Sequence, residues 1–161
     1  MLAGMQAASL GIPFQPIRGL RGTDVAKAGG FVTVRDPYSG EEVYVIPRIR
    51  PDWAVLHVHE ADEQGNARIY GSPGYDLVMA EAAARVILTA ERILPAEEFA
   101  AHPELTKVPG LFVSAIVRVP GGASPCACMP DYDVDAAGIG SYLDSAESEA
   151  GLRVYLERVN P

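Results

Sequence analysis

The sequence has no apolar segment close to the roughly 20 residues that a membrane-spanning helix needs. Its opening residues are fairly apolar, but no lysine or arginine precedes Arg18, so the basic start of a secretory signal is missing. These two absences argue against a membrane protein and against an exported one. We therefore expect a cytoplasmic protein.

Cysteine is scarce, since the 161 residues include 2 of them. Cys126 and Cys128 are separated by one residue, and a disulfide across so short a span would be strained. The 3 histidines do not show the spacing from these cysteines that zinc sites have. We expect two reduced thiols in a loop and no bound metal.

Basic residues are fewer than acidic ones, 13 against 21, and the formal net charge is -8. Nucleic-acid binding needs a broad basic face, so this balance argues against a nucleic-acid partner. It leaves room for an anionic small ligand, because cationic residues cluster in one part of the chain: Arg18, Arg21, Lys27, Arg35, Arg48 and Arg50.

Several short catalytic motifs are also missing. The sequence contains no GxxxxGKS or GxxxxGKT phosphate loop, no GxGxxG after a strand, no GxSxG nucleophile elbow and no HExxH zinc motif. The common nucleotide-binding, serine-hydrolase and metalloprotease arrangements are therefore not indicated.

What is present is a pattern typical of one α/β domain over residues 1–161. Residues 53–58 are apolar on both alternating faces, as in a strand that is covered on both sides. A predicted helix over residues 75–85 and a strand over residues 86–90 would complete a βαβ unit. We predict an open, mixed, mainly parallel sheet with flanking helices.

Other elements are expected on either side of this unit. They are a helix over residues 1–10, an extended segment over 12–17, a hairpin of strands 31–34 and 43–46, a short strand over 67–70, a short helix from Pro95, a strand over 111–119 and a final helix from about Val134 to Val159, interrupted near Gly138 and Gly140 and again at Gly151.

An acidic loop over residues 59–66 is predicted where the central strand ends, the place where open α/β sheets usually hold ligands. Glu60 or Asp62 could act as a base or nucleophile if burial raised the pKa of its carboxyl group. Asp-x-x-Gly-Asn is equally an ordinary turn composition, which is the simpler interpretation. Glu91, at the end of the next strand, could face the same cleft. His57 is better interpreted as a hydrogen-bonded core residue.

A second polar loop contains Arg18, Gly19, Arg21 and Gly22. Glycines let backbone amides approach a ligand, and arginines bind phosphate or carboxylate with paired donors. A surface loop with solvated arginines is the alternative, and the residue types alone leave both open.

Four blocks together resemble the family I coenzyme A transferases, most closely the A (alpha) subunits of the glutaconate type. The blocks are GIPFQPIRGLRGTDV, DPYSGEEVYVIPRIRPDWAVLHVHEADEQGNARIYG, ARVILTAERILP and VPGLFVSAIVRVPGGASP. The resemblance is to the later half of such a subunit, so we expect one transferase-like domain that is incomplete on its N-terminal side.

The resemblance implies an open α/β sheet and the transfer of coenzyme A between an acyl-CoA and a carboxylic acid. In such enzymes the thioester is attacked by a glutamate of the B subunit, and this covalent route divides one difficult exchange into easier steps. Within this chain, Glu60, Asp62 and Glu91 are the candidates for a catalytic role beside that glutamate. The resemblance implies substrate-binding roles for two loops that border a shared crevice, with the residues Arg18, Gly19, Arg21, Gly22, His59, Gly65 and Asn66.

Coenzyme A is thus expected as a substrate, with no covalently bound cofactor, in an oligomer with a B-type subunit that is needed for activity. Two other functions stay open. One is hydrolysis of a CoA thioester or cleavage of a ring on the same scaffold. The other is a non-catalytic binding or assembly subunit, since an exposed sheet edge needs a partner.

Overall fold

A computed structural model describes residues 1–159. It contains six α-helices and seven strands in this part of the chain. The helices are α1 (Leu2–Ser9), α2 (Asp24–Ala28), α3 (Asp76–Ala82), α4 (Ala96–Ala101), α5 (Ala136–Ala146) and α6 (Glu149–Val159). The strands are β1 (Phe14–Ile17), β2 (Thr33–Arg35), β3 (Glu42–Pro47), β4 (Trp53–Asp62), β5 (Ala67–Arg68), β6 (Arg85–Leu94) and β7 (Val113–Arg118).

The strands form two sheets. The larger sheet has the order β5-β4-β6-β7, in which β4, β6 and β7 are parallel and β5 is antiparallel. The smaller sheet is antiparallel, with the order β1-β3-β2, and contains the predicted hairpin. The predicted fold class, a mixed and mainly parallel sheet with flanking helices, is confirmed.

The core lies on one face of the larger sheet. Alternate residues of β4 and β6 point to the same side, and there they are fully buried together with Ala80 of α3. Helix α1 packs against α3 on this side. The buried strand residues are Ala54, Leu56 and Val58 on β4 and Val86, Leu88 and Ala90 on β6.

The opposite face of the sheet is largely uncovered within this chain. Trp53 is 47% exposed and Val55 is 62% exposed, and on β7 Val117 is 49% exposed. The prediction that both faces of the central strand are covered is therefore wrong for the described residues. An apolar pattern indicates that a side chain favours burial, but what packs against it depends on the rest of the fold.

Strands β4 and β6 both continue past their apolar segments. His59, Glu60 and Asp62 lie within β4, so the predicted placement of these three residues in a loop is wrong. Glu91, expected at the end of the next strand, lies within β6. The reason is that backbone pairing between β4 and β6 extends to Asp62 and Leu94. The polar side chains find partners in the protein, and the strands can therefore extend into polar sequence.

The C-terminal region forms two helices rather than one. The break falls between Ala146 and Glu149. The interruptions expected near Gly138, Gly140 and Gly151 are wrong, since the first two glycines lie inside α5 and the third lies inside α6. The Asp135 carboxylate accepts a hydrogen bond from the Gly138 amide and starts α5 there. No helix within residues 1–159 is both long and apolar enough to cross a membrane.

Candidate functional site

The candidate site lies where β4 and β6 end side by side. The two strands are parallel neighbours, and Glu60 is in register with Arg92. Successive residues of a strand point to opposite faces, so Glu60 and Glu91 reach the same edge of the sheet on opposite faces. Each carboxylate consequently has its own set of partners.

Glu60 is 8% exposed and is held by two arginines and a tyrosine. Its Oε2 accepts a hydrogen bond of 2.7 Å from the Tyr70 hydroxyl and one of 3.4 Å from Arg68 Nη1. Its Oε1 accepts a bond of 3.4 Å from Arg92 Nη2. Arg92 also donates to Asp131 at 2.7 Å, which links β6 to the loop after β7. Glu60 therefore balances the charge of this arginine cluster.

His59 is 6% exposed, and both of its ring nitrogens are occupied. Nε2 donates to the Met129 carbonyl oxygen at 2.7 Å, and Nδ1 accepts from the Tyr70 amide at 3.2 Å. This arrangement requires the neutral ring with its proton on Nε2. His59 fixes the loop at Met129 against the end of β4.

Asp62 and Asn66 build a tight turn, as the simpler interpretation of the sequence expects. The Asp62 carboxylate accepts hydrogen bonds from the amides of Gln64 and Asn66, both at 2.9 Å, and from the Asn66 side-chain amide at 2.8 Å. Asn66 Oδ1 in turn accepts from the Gly110 amide at 3.0 Å. These bonds occupy the carboxylate of a residue that is 1% exposed.

Gly65 is required in this turn for two reasons. Its φ of 91° lies in the left-handed region, where a Cβ atom is strained. A Cβ atom at this position would also lie 2.8 Å from Val113 Cβ, at the start of β7. The turn is thus packed directly against the neighbouring elements.

Glu91 is the centre of a second network on the other face. Its carboxylate accepts hydrogen bonds from the Tyr132 hydroxyl at 2.6 Å and the Gly121 amide at 2.7 Å, and it lies 2.7 Å from His57 Nε2. Burial raises the pKa of Glu91, but the bonds from Tyr132, Gly121 and His57 outweigh it and lower the value to about 2. Burial and the bond to Glu91 raise the pKa of Tyr132 to about 12.

The arginine loop lies beside the smaller sheet. Arg18 forms an exposed ion pair of 2.7 Å with Glu41, and Arg21 donates to the Glu42 carbonyl oxygen at 2.7 Å. Gly22 has a φ of 78° and allows the chain to turn after Arg21. A cavity of about 510 Å³ lies next to Arg18, with walls formed by Phe14, Pro16, Ile17, Val34, Arg35, Asp36, Pro37, Tyr38 and Val43.

The acidic and arginine segments border different cavities. Asp62 and Asn66 line a cavity of about 380 Å³ together with residues of α4. This cavity shares no residue with the one beside Arg18. The expected shared crevice between the two segments does not form among these cavities of the single chain.

Sequence reasoning missed several members of these networks. Arg68, Tyr70, Arg92 and Tyr132 are ordinary residues in the sequence, and their roles depend on contacts across the sheet. Possible ligand atoms of His57, Glu91 and Cys128 lie within 4.8 Å of one another, although the three residues are far apart in the sequence. The sequence signal for this cluster was the polar His57 in an apolar strand.

Comparisons with known proteins agree with this fold. The profile of the family described as Coenzyme A transferase matches residues 1–119. The A-type polypeptide of glutaconate CoA-transferase from Acidaminococcus fermentans is 33% identical, over 80% of this chain and 46% of the relative. The crystal structure of glutaconate coenzyme A-transferase from the same organism has a TM-score of 0.89 and 29% identity, covering 98% of this chain and 55% of that one.

Two further similar proteins are named as other kinds of enzyme. The IpdA subunit of a cholesterol ring-cleaving hydrolase from Mycobacterium tuberculosis is 34% identical, over 95% of this chain and 56% of the relative. The crystal structure of the decarboxylase AibA/AibB has a TM-score of 0.87 and 36% identity, covering 98% of this chain and 57% of that one.

The chain spans about half the length of these relatives, from 46% to 57%. The resemblance to A subunits of the glutaconate type is confirmed by the match to one of them across most of this chain. On the strength of the family profile and of this agreement in sequence and fold, the chain belongs to the coenzyme A transferase family.

Proposed function

We propose that the chain is part of an A-type subunit of an enzyme that moves coenzyme A between an acyl-CoA and a carboxylic acid. The observation that carries this proposal is the family match over residues 1–119, together with 33% identity to the A-type polypeptide of a glutaconate CoA-transferase. Coenzyme A is then a substrate, and no covalently bound cofactor is proposed.

The hydrogen bonds of the acidic residues support the proposal that the nucleophile comes from another polypeptide. A carboxylate that attacks a thioester needs a free lone pair directed at the substrate. Glu60, Asp62 and Glu91 each accept three hydrogen bonds or ion pairs from the protein, so we assign them positioning roles around the cleft. We propose that the attacking glutamate belongs to a B-type subunit.

We propose that the arginine loop binds the anionic part of coenzyme A. The ion pair between Arg18 and Glu41 is exposed, and such pairs contribute little, so a phosphate can replace Glu41 as the partner of Arg18. The neighbouring cavity of about 510 Å³ falls in the range of ligand sites and has mainly apolar walls. Gly19 and Gly22 would leave backbone amides accessible, while His59, Gly65 and Asn66 would shape the second loop.

The test is to purify the chain with a B-type subunit, then to assay exchange of CoA between an acyl-CoA and a panel of carboxylic acids. Replacing both Arg18 and Arg21 by alanine should raise the KM for acyl-CoA about tenfold, which corresponds to about 1.4 kcal/mol of binding. The control is Lys27→Ala, because Lys27 is an exposed cation of the same region that does not line the cavity. No exchange with any acid, despite a stable complex, would refute the proposal.

Hydrolysis is a second candidate, favoured by 34% identity to the ring-cleaving hydrolase subunit. The two reactions differ in what they need besides the thioester, since a transferase requires an acceptor acid and a hydrolase uses water. Release of free CoA or opening of a ring in the absence of an acceptor acid would favour the hydrolase.

The uncovered sheet face supports a role within an oligomer. Apolar side chains on this face, including Val55 and Val117, match a surface that another part of a transferase covers. We propose that the chain forms one domain of a cytoplasmic complex in which another polypeptide covers this face. If the chain assembles with a B-type subunit but adds nothing to binding or turnover, a non-catalytic assembly role would replace the catalytic one.

A further inference from the structure

Three side chains with metal-binding atoms meet at the carboxyl end of the sheet. His57 comes from β4, Glu91 from β6 and Cys128 from the loop after β7, and their possible ligand atoms lie within 4.8 Å of one another. Cys128 is 6% exposed and Glu91 is 7% exposed. We call these three residues the His57–Glu91–Cys128 cluster.

We propose that the His57–Glu91–Cys128 cluster binds a divalent transition-metal ion, with zinc as the best match. One imidazole, one carboxylate and one thiolate form a ligand set that suits zinc, whereas magnesium and calcium prefer oxygen ligands alone. Three protein ligands would leave a fourth position for water or another ligand. The site is separate from the residues that we propose for coenzyme A, and it does not depend on the proposed function.

The surroundings of the cluster resemble those that orient metal ligands. His57 Nδ1 lies 2.9 Å from Thr89 Oγ1, which fixes the ring and leaves Nε2 directed at the cluster. Tyr132 and the Gly121 amide hold the Glu91 carboxylate. Ligating histidines and carboxylates in metalloproteins commonly have such outer partners, which set their orientation.

A metal ion bound to the cluster would take the place of a proton between His57 and Glu91. The Thr89 hydroxyl lies 2.9 Å from His57 Nδ1 and 3.3 Å from the Leu56 carbonyl oxygen, and it can donate its one proton to either of them. His57 Nε2 lies 2.7 Å from the Glu91 carboxylate, and a metal ion bound there would displace the proton that Nε2 donates to Glu91. A divalent ion would also balance the charges of Glu91 and a Cys128 thiolate.

The thiol is better suited to metal binding than to reaction as a free nucleophile. Cys128 is 6% exposed, so reagents in solution have little access to its sulfur atom. A bound divalent cation would supply the positive charge that deprotonates it. The same ion would connect the loop containing Cys128 to both central strands.

The first experiment measures zinc and cobalt binding to the full chain after treatment with a chelator. We expect one zinc ion per chain, and with cobalt a thiolate-to-metal charge-transfer absorption that reports the cysteine ligand directly. A folded wild-type chain that binds no zinc, or cobalt binding without charge transfer, would overturn the proposal.

Variants then locate the ligands. Cys128→Ser and His57→Gln should each weaken zinc binding by more than the roughly 10–100-fold that loss of an outer partner costs, and Tyr132→Phe should fall within that range. Cys126→Ser is the matched control and should bind zinc like the wild type. If Cys126→Ser abolishes binding while Cys128→Ser retains it, the loop thiols bind metal without the cluster and the proposal fails. Circular dichroism of the metal-free variants separates lost binding from lost folding.

Discussion

Glu60 lies between Arg68 and Arg92, with side-chain exposures of 11%, 6% and 41% for the three residues. Breaking a buried ion pair leaves a charge without compensation, which costs more than the pair itself contributes. A carboxylate in this position therefore stabilises the fold, whether or not it also contacts a substrate.

We predict that Glu60→Gln lowers the free energy of unfolding by about 2 kcal/mol, because it leaves Arg68 without its carboxylate partner. Chemical denaturation at neutral pH measures this loss. Glu63→Gln is the control, since Glu63 is exposed just beyond the end of β4 and should change stability by less than about 0.5 kcal/mol. An unchanged stability for Glu60→Gln would mean that Glu60 is available for chemistry.

Gly65 and Gly71 form a matched pair at the scale of single residues. Their φ angles are 91° and 90°, but a Cβ atom at Gly71 would have no neighbour within 4 Å, whereas one at Gly65 would meet Val113 at 2.8 Å. Alanine at Gly71 should cost about 1–2 kcal/mol from the backbone alone. Alanine at Gly65 should cost roughly 2 kcal/mol more, because overpacking adds to the strain. Equal losses in thermal unfolding would show that the turn relaxes away from Val113.

At the scale of elements, the ends of the strands were the hardest feature to predict. The apolar residues 53–58 and 86–90 identify β4 and β6, but each strand runs on for four more residues, which include charged ones. Those residues stay in the sheet because Arg68, Tyr70 and Tyr132 satisfy their side chains from elsewhere in the chain. A local pattern contains no information about such partners.

The β2–β3 hairpin allows a test by pH. The hydroxyl of Ser39 and the amide of Tyr38 donate to Asp36 and hold the pKa of its carboxyl group below the ordinary value of 3.8. Because the folded-state pKa is lowered, this contribution to stability is present above pH 3.8 and is lost as the pH falls through the folded value.

Ser39→Ala should therefore raise the pKa of Asp36 toward 3.8, as measured by NMR titration of its carboxyl carbon. Ser9→Ala removes an exposed hydroxyl on α1 that bonds to its own helix, and it should leave Asp36 unchanged. An Asp36 pKa that does not move in Ser39→Ala would show that the turn is held by the backbone alone.

At the scale of the whole molecule, self-association of an acidic chain with one apolar sheet face should depend on the net charge of the chain. Charge repulsion between copies weakens as the pH approaches the isoelectric point of about 4.8. The uncovered face, with Val55 62% exposed, can then self-associate.

We predict that association of the isolated chain, measured by light scattering, increases between pH 7 and the isoelectric point of 4.8 and that Val55→Lys reduces it. The control is Val154→Lys on α6, which adds the same charge at a residue that is 67% exposed. Neither variant should lower stability by more than about 1 kcal/mol, because both side chains are already exposed. Equal effects of the two variants would show that charge, and not the sheet face, governs association.

The sequence by itself determined the types of the elements and the family of the chain. Apolar β-branched runs encode strands locally, and prolines and glycines mark where the chain turns, so the βαβ unit and the hairpin were predictable. The turn role of Asp62 and Asn66 was also predictable, because the hydrogen bonds of that turn join residues four positions apart.

Only the tertiary structure decided which polar groups meet and which apolar face is left uncovered. His57 and Glu91 are 34 residues apart, and they meet because β4 and β6 are parallel neighbours in a particular register. Cys128 joins them because the loop after β7 folds back onto the end of the sheet, where His59 binds the Met129 carbonyl. Contacts of this kind depend on the packing of distant segments, and a local sequence pattern does not specify that packing.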